Sequence, residues 1–244
     1  MTAVADIIER LRRPRRLAPQ EQALLDRIEA ERAQLEQSDE RVEYRDFGAG
    51  PTGEAGRSAD AMERGTLVER RIGEVARTAS KPPQAARILF DLLRERRPET
   101  CLELGTCVGI SAAYQAAALE LNGRGFLYTI EGAAPLAERA RSVLERLGLA
   151  DRVEVRNGRF TDVLPEVLAD RELDFAFVDG HHDEQATLDY FELIRPRMRP
   201  GSVMAFDDVE WSDGMRRAWK AIRVSEAVAS SWTRRGIGFV ALAS

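Results

Sequence analysis

From Pro83 onward the chain alternates helix-period segments with short apolar runs, and this alternation limits the fold more than any other feature. Ala85 to Arg96 has helical spacing, Thr100 to Leu104 reads as a short strand, and Ile110 to Leu121 as an alanine-rich helix. The same beat continues through strand Phe126–Ile130, helix Pro135–Leu147, strand Val153–Val155 and a short helix near Val163–Leu168. Strand Leu173–Val178, helix Glu184–Ile194 and strand Ser202–Phe206 complete it. Parallel neighbours need a crossover between them, so strands separated by single helices predict a doubly wound, mostly parallel α/β sheet with helices on both faces. The end of the chain differs. Val224–Trp232 and Gly236–Leu242 are strand-like runs around Thr233-Arg234-Arg235, a hairpin spacing that predicts an antiparallel finish.

Residues 1–80 have another character, highly charged and without a strand-like apolar run. Ala18-Pro19-Gln20-Glu21 opens a helix whose apolar positions Ala23, Leu24, Ile28 and Leu35 share a stripe. A glycine-rich stretch with Pro51, between Asp46 and Ser58, reads as a loop, and Thr66 to Thr78 as a second helix. The expected division is an N-terminal helical appendage or lid over 1–80 and a main domain over 81–244.

Composition removes several function classes. The 244 residues carry a formal net charge of -5, which argues against a nucleic-acid partner that would require basic surface. Arg10 to Arg16 forms a local arginine run, readable as a phosphate-binding arm or as a solvated helix end. Lysine occurs only at Lys81 and Lys220, so an arginine-rich run carries little information here. No apolar stretch is long enough to span a membrane, and the first residues lack a signal peptide's apolar block. Cys101 and Cys107 make no disulfide framework, so the expected compartment is a reducing, cytoplasmic one.

In open α/β sheets ligands bind beyond the carboxyl ends of the strands, where strand order reverses. Four such ends carry polar or glycine residues: Glu103 to Ser111, Glu131-Gly132, Asn157-Gly158-Arg159, and Asp179. A dinucleotide loop needs glycines at its first, third and sixth positions, but counting from Gly105 the latter two are Cys107 and Ile110. Glu103, two residues before Gly105, suits instead the cationic amino group of an amino acid. Residues from about 80 to the end resemble the class I S-adenosylmethionine-dependent methyltransferases. Within these they are similar to the small-molecule O-methyltransferases of the catechol type. The segments that carry the likeness are Glu103-Leu-Gly-Thr-Cys-Val-Gly-Ile-Ser111, Thr129-Ile-Glu131 and the terminal hairpin. The resemblance implies a Rossmann-like sheet in which Glu103 and the loop Gly105, Thr106, Cys107 and Gly109 hold the methionine part of the cofactor. Ser111 lies close by, Glu131 and Gly132 border the ribose, and Gly158 and Arg159 border the adenine. Read from the residues alone, the same glycines serve only as turn formers and Glu131 as a strand-end charge.

Two neighbouring strand ends add Asp179-Gly180-His181-His182-Asp183 and Asp207-Asp208. Three carboxylates in one place repel unless a cation neutralises them, and hard oxygen donors suit Mg2+ or Mn2+. The resemblance puts the metal on Asp179, Asp207 and Asp208, with the base three residues after the first aspartate. That base is usually lysine, and here it is His182. His182 near neutral pH can take a hydroxyl proton directly, or it can ligate the metal. A purely structural reading also stands, with the Asp-Gly-His-His turn bonding its own backbone and Asp207-Asp208 capping a helix near Trp211. The expected function is methyl transfer to a hydroxyl of a small molecule, a phenol, a sugar or a natural-product scaffold, with metal assistance. The competing readings are a metal-independent methyltransferase acting on protein or RNA, and a non-catalytic cofactor-binding partner. The exposed appendage would suit a homodimer.

Overall fold

The computed structural model describes residues 15–50, 57 and 59–243, so most of the arginine run at Arg10 to Arg16 and the middle of the glycine-rich loop lie outside it. Helix α1 (Pro19–Glu36) is followed by strand β1 (Arg41–Asp46), the short helix α2 (Ala59–Arg64), strand β2 (Thr66–Arg71) and helix α3 (Ile72–Ala79). The main array then runs α4 (Pro83–Arg96), β3 (Thr100–Leu104), α5 (Ile110–Asn122), β4 (Phe126–Glu131) and α6 (Ala134–Leu147). It continues with β5 (Val153–Asn157), α7 (Phe160–Leu168), β6 (Leu173–Val178), α8 (Glu184–Ile194), β7 (Met198–Phe206) and α9 (Asp213–Arg223), and ends in β8 (Val228–Arg234) and β9 (Ile237–Leu242).

The seven-stranded sheet has the order β5-β4-β3-β6-β7-β9-β8. Pairs from β5 to β7 are parallel, while β9 is antiparallel to both β7 and β8. The chain builds outward from β3 to β5, then returns to place β6 on the other side of β3. That reversal is the topological switch point at which such sheets open a crevice. The Rossmann-like expectation and the antiparallel finish are both realised.

Burial on two faces explains why these strands read as continuous apolar runs. In β6, Phe175 and Phe177 join one cluster with the α4, α5 and α6 side chains, and Ala176 and Val178 join the other with α7 and α8. In β7, Val203 and Ala205 divide from Met204 and Phe206 in the same way. Leu25, Ile28 and Leu35 of α1 belong to the first cluster, so that helix packs onto the same core as the sheet.

Two expectations for the N-terminal region are corrected. Thr66 to Arg71 is a strand, not the first part of a helix, and only Ile72–Ala79 is helical. It pairs antiparallel with β1, Tyr44 facing Val68, so the region contains a β-ribbon as well as helices. Val42 and Tyr44 are its inward residues, alternating with charged neighbours. Two apolar positions in six make too weak a period-two signal to stand out in a charged stretch. Arg15, at the edge of the arginine run, is committed to internal ion pairs with Glu21 (2.7 Å) and Asp91 (3.0 Å).

Candidate active site

Main-chain bonds carry the parallel ladder one residue past each strand end. Asp179 N donates to Leu104 O (2.8 Å), Asp207 N to Val178 O (2.9 Å) and Gly105 N to Ile130 O (2.9 Å). The ends of β4, β3, β6 and β7 are thereby held side by side around one cavity of about 750 Å3. Its floor includes Gly105, Cys107, Glu131, Asp179, His182 and Asp207, and its roof is built by Tyr44, Phe47 and the segment Ser80–Pro82. Cavities of roughly 300–1,000 Å3 suit a ligand the size of a cofactor.

Backbone strain gathers at this floor. Among the described residues six non-glycines have φ between 46° and 63°, and four of them, Cys107, His181, His182 and Asp208, line the cavity. Such conformations cost about 1–3 kcal/mol each and persist where the surroundings over-determine them. Gly105 has the most demanding position. At φ +97° it passes so close to β6 that a Cβ would stand 1.9 Å from Asp179 O. No other residue type fits there.

One end of the cavity is organised around Glu131. Its carboxylate accepts from Cys107 N (2.7 Å) and Ala133 N (2.9 Å), so backbone amides hold it in place at the cavity wall. Burial raises its pKa and these amides oppose the shift. Gly132 lies beneath the Phe47 ring, where a Cβ would come within 2.7 Å of Phe47 Cδ2. Ser80 Oγ, in the roof, is buried with no protein partner. A fixed carboxylate, close-approach glycines and an orphaned hydroxyl make a wall that fits a polar nucleoside-type ligand.

The remaining cofactor candidates divide. Cys107 and Arg159 line the cavity, with the Arg159 guanidinium on Asp162 (2.9 Å). Gly109 starts α5 at φ +91°, where a Cβ would press on Ala140 of α6. Gly158 is a turn residue whose N–H donates to Glu131 O (3.0 Å). Glu103, Thr106 and Ser111 are buried beneath the loop and are absent from the cavity wall. Glu103 accepts from Gln115 Nε2 (2.5 Å) and Thr129 Oγ1 (2.6 Å), and Thr129 Oγ1 also meets Thr106 Oγ1 (2.6 Å). This network props the glycine loop from below. Burial raises the Glu103 pKa to about 7.

At the chemistry end, Asp179, His182 and Asp207 place potential ligand atoms within 4.8 Å of one another. Asp208 is outside that cluster, although it also lines the cavity. His182 Nε2 is 3.7 Å from Asp179 Oδ1. Burial lowers the His182 pKa, against the opposing pull of Asp207 and Asp208, so the ring is neutral near pH 7. Burial and Asp179 raise Asp207 to about 6. His181 also lines the cavity but lies outside that cluster, with Nδ1 2.5 Å from Tyr190 Oη and its ring stacked on Tyr190. The helix caps are supplied elsewhere. Asp183 caps α8 and Ser212 caps α9, which begins at Asp213, so Asp207 and Asp208 cap no helix there.

One residue enters the cluster from an unexpected direction. Lys81 Nζ bonds Asp207 and stands 3.3 Å from Asp179. Burial pulls the ammonium toward neutrality, but Asp179 and Asp207 outweigh it and hold its pKa above that of free lysine. The sequence places Lys81 just ahead of the core, in the segment Lys81-Pro82-Pro83-Gln84 where the resembling family often contacts cofactor or substrate. It is one of two lysines among 36 basic residues, but nothing in the sequence pairs it with the aspartates. The donors by themselves have the chemistry of a divalent site. With the Lys81 ammonium seated on two of the carboxylates, they do not fit a resident divalent ion.

Comparisons with known proteins agree with this geometry. Residues 102–209 match the family model of the methyltransferase domain. A catechol O-methyltransferase from Niastella koreensis is 32% identical over 53% of this chain and 58% of its own length. The chain spans about half the length of the curated relatives it matches. Among solved structures, an O-methyltransferase from Bacillus cereus in complex with S-adenosylhomocysteine superposes with a TM-score of 0.58, at 29% identity over 67% of this chain and 83% of that one. An O-methyltransferase of tomaymycin synthesis from Streptomyces achromogenes, in complex with S-adenosylmethionine, gives 0.60 at 27% identity over 68% and 83%. Strand order, the Gly105 loop and Glu131, together with these likenesses, mark residues 102–209 as a methyltransferase domain and make the chain similar to the S-adenosylmethionine-dependent O-methyltransferases of the catechol type.

Proposed function

We propose that the protein transfers a methyl group from S-adenosylmethionine to a hydroxyl of a small molecule, a phenol being the class its named relatives suggest. The observation that carries this reading is a single cavity holding the Glu131 carboxylate at one end and neutral His182 beside Asp179 at the other. Cofactor and acceptor can then meet without crossing solvent. In this reading Glu131 and Gly132 take the ribose, and Cys107, Gly105 and the amino end of α5 take the methionine part. Arg159 borders the adenine, while Glu103, Thr106, Ser111, Gly109 and Gly158 shape the loop and its turns.

The acceptor's O–H gives its proton to His182, the oxygen forms a bond to the sulfonium methyl, and the S–CH3 bond breaks to leave neutral S-adenosylhomocysteine. The sulfonium is already activated, so the protein's work is to align the two groups, exclude water and accept one proton. A divalent ion on Asp179, Asp207 and Asp208, which the catechol-type likeness implies, would lower the hydroxyl's pKa. With Lys81 in place, that work falls to the protein's own groups. The roof of Tyr44, Phe47 and Ser80–Pro82 favours a small acceptor over protein or RNA. Residues 1–80 are read as a cover for the domain over 81–244, and the absence of a long apolar helix among the described residues leaves no membrane-spanning one there.

Calorimetric titration with S-adenosylhomocysteine, in matched Mg2+ and EDTA buffers with NAD+ as control, tests the cofactor. Micromolar binding of the homocysteine ligand alone is expected, and binding of neither would overturn the reading. Glu131→Ala should weaken that binding about 10- to 100-fold, the loss expected for charged hydrogen bonds of about 1.5–3 kcal/mol. An acceptor screen follows, in which His182→Ala should lower kcat about 10²- to 10⁴-fold with binding retained.

A further inference from the structure

We infer that Lys81 is a tethered cation occupying the position of a divalent ion, so that Asp179 and Asp207 are neutralised from within the chain and the site excludes metal. The ammonium is gripped at its tip by both carboxylates and its side chain is only 10% exposed. Its backbone is gripped too. Arg32 of α1, itself buried, donates from Nη2 to Lys81 O (2.8 Å), and Pro82 and Pro83 stiffen the following segment. A lysine fixed at both ends has already lost the rotamer freedom that would let it swing aside, so an entering ion must break two buried charge pairs.

The pairing of the carboxylates points the same way. Asp179 and Asp207 lie together at the cavity end, and two such buried carboxylates without a cation would be strongly unfavourable, so the Lys81 ammonium supplies the charge that keeps them together. An ammonium has three N–H donors, and two are directed to Asp179 and Asp207. The third is left for an acceptor oxygen, to which it offers the positive charge that a metal would otherwise supply. The choice of residue matters. Where this chain uses arginine for nearly every surface cation, a planar guanidinium could not fill the space of a compact ion, and the ammonium is a point charge that can.

The inference rests on Asp179 and Asp207 forming the reacting end of the cavity, and S-adenosylhomocysteine binding in the same samples tests the cofactor reading separately. The full chain, Lys81→Met and the double variant Lys81→Met/Asp207→Asn are titrated with Mn2+ by calorimetry. The expected result is that Lys81→Met binds Mn2+ at least about ten-fold more tightly than the wild type, a difference of about 1.4 kcal/mol, and that the double variant loses the gain. Equal binding by wild type and Lys81→Met, or binding by neither, overturns the inference, because Lys81 would not then be what keeps the ion out. Should Lys81→Met fail to fold, the wild type supplies its own readout. With 13C-lysine labelling only two Cε signals arise, assigned through Lys220→Arg. Millimolar Mg2+ should leave the Lys81 signal where it is, whereas a saturable shift of that signal overturns the inference.

Discussion

Glu103 shows how a residue can be legible in position while its contacts become visible only in the fold. Its spacing before Gly105 marks it as part of a cofactor loop, yet its carboxylate is fully buried and bonded to Gln115 and Thr129 under that loop. Its pKa rises from the ordinary 4.5 to about 7 because burial disfavours the charge. Between those values the folded chain keeps a proton that the unfolded chain has released. Stability therefore falls as pH rises through about 4.5 to 7, and the loss is complete above it. Thermal melting of the apoprotein across pH 5 to 8 should show this decline, and Glu103→Gln should flatten it while leaving the smaller slope of Asp207, also raised, to about 6. An unchanged slope in Glu103→Gln would place the proton elsewhere. Lys81 is the opposite case. It lies 98 residues from Asp179 and 126 from Asp207, so no local spacing could pair them. His182, Asp179, Glu131 and Gly105 were readable because each stands at a strand end, and strand ends follow from periodicity alone.

The elements of the main array were legible for the same reason, whereas the ribbon of β1 and β2 was not. β3 and β6 are buried on both faces and read as apolar runs, and β5, at the sheet edge, alternates apolar and polar residues, but β2 is Thr-Leu-Val-Glu-Arg-Arg with most residues exposed. It is a strand because β1 is available to pair with it, with Tyr44 opposite Val68 and Arg41 paired to Glu69 (3.0 Å), a cause located more than twenty residues away. This ribbon delivers Phe47 onto Gly132, at the Glu131 end of the cavity, where the proposed reading puts the ribose. Removing the ring uncovers that end without disturbing the sheet, and the lost aromatic burial is worth about 1.5–3 kcal/mol. Phe47→Ala should therefore bind S-adenosylhomocysteine roughly ten-fold more weakly, chiefly through faster dissociation in a stopped-flow chase. Unaltered dissociation would mean the ribbon does not cover the bound cofactor.

At the scale of the whole molecule, α1 connects the N-terminal region to both the core and the site. Leu25, Ile28 and Leu35 enter the sheet's larger apolar cluster, Arg27 donates to Leu147 O (2.8 Å), and Arg32 secures Lys81. The end of this helix is fastened by Glu21, whose buried carboxylate accepts from Arg15 (2.7 Å), Arg94 (2.8 Å) and Ala18 N (2.9 Å). The Arg15 bond, ahead of the opposing effect of burial, holds Glu21 at about 2, well below its ordinary 4.5. The sign is the reverse of that for Glu103: the contribution is fully present above about pH 4.5 and is lost as pH falls toward 2. Glu21→Ala should destabilise the protein by about 1–3 kcal/mol near pH 6, since Arg94 and the solvent-screened Arg15 both lose their carboxylate. Melting curves of the wild type and Glu21→Ala should then converge as the pH is lowered from 5 to 3, since acid protonates in one chain what the substitution removes from the other. A gap that stays constant across that range would show that α1 is held by its apolar stripe alone. Because α1 also carries Arg32, loosening it should free the Lys81 backbone, and Glu21→Ala at neutral pH should bind Mn2+ more tightly than the wild type if the grip on Lys81 is transmitted through this helix.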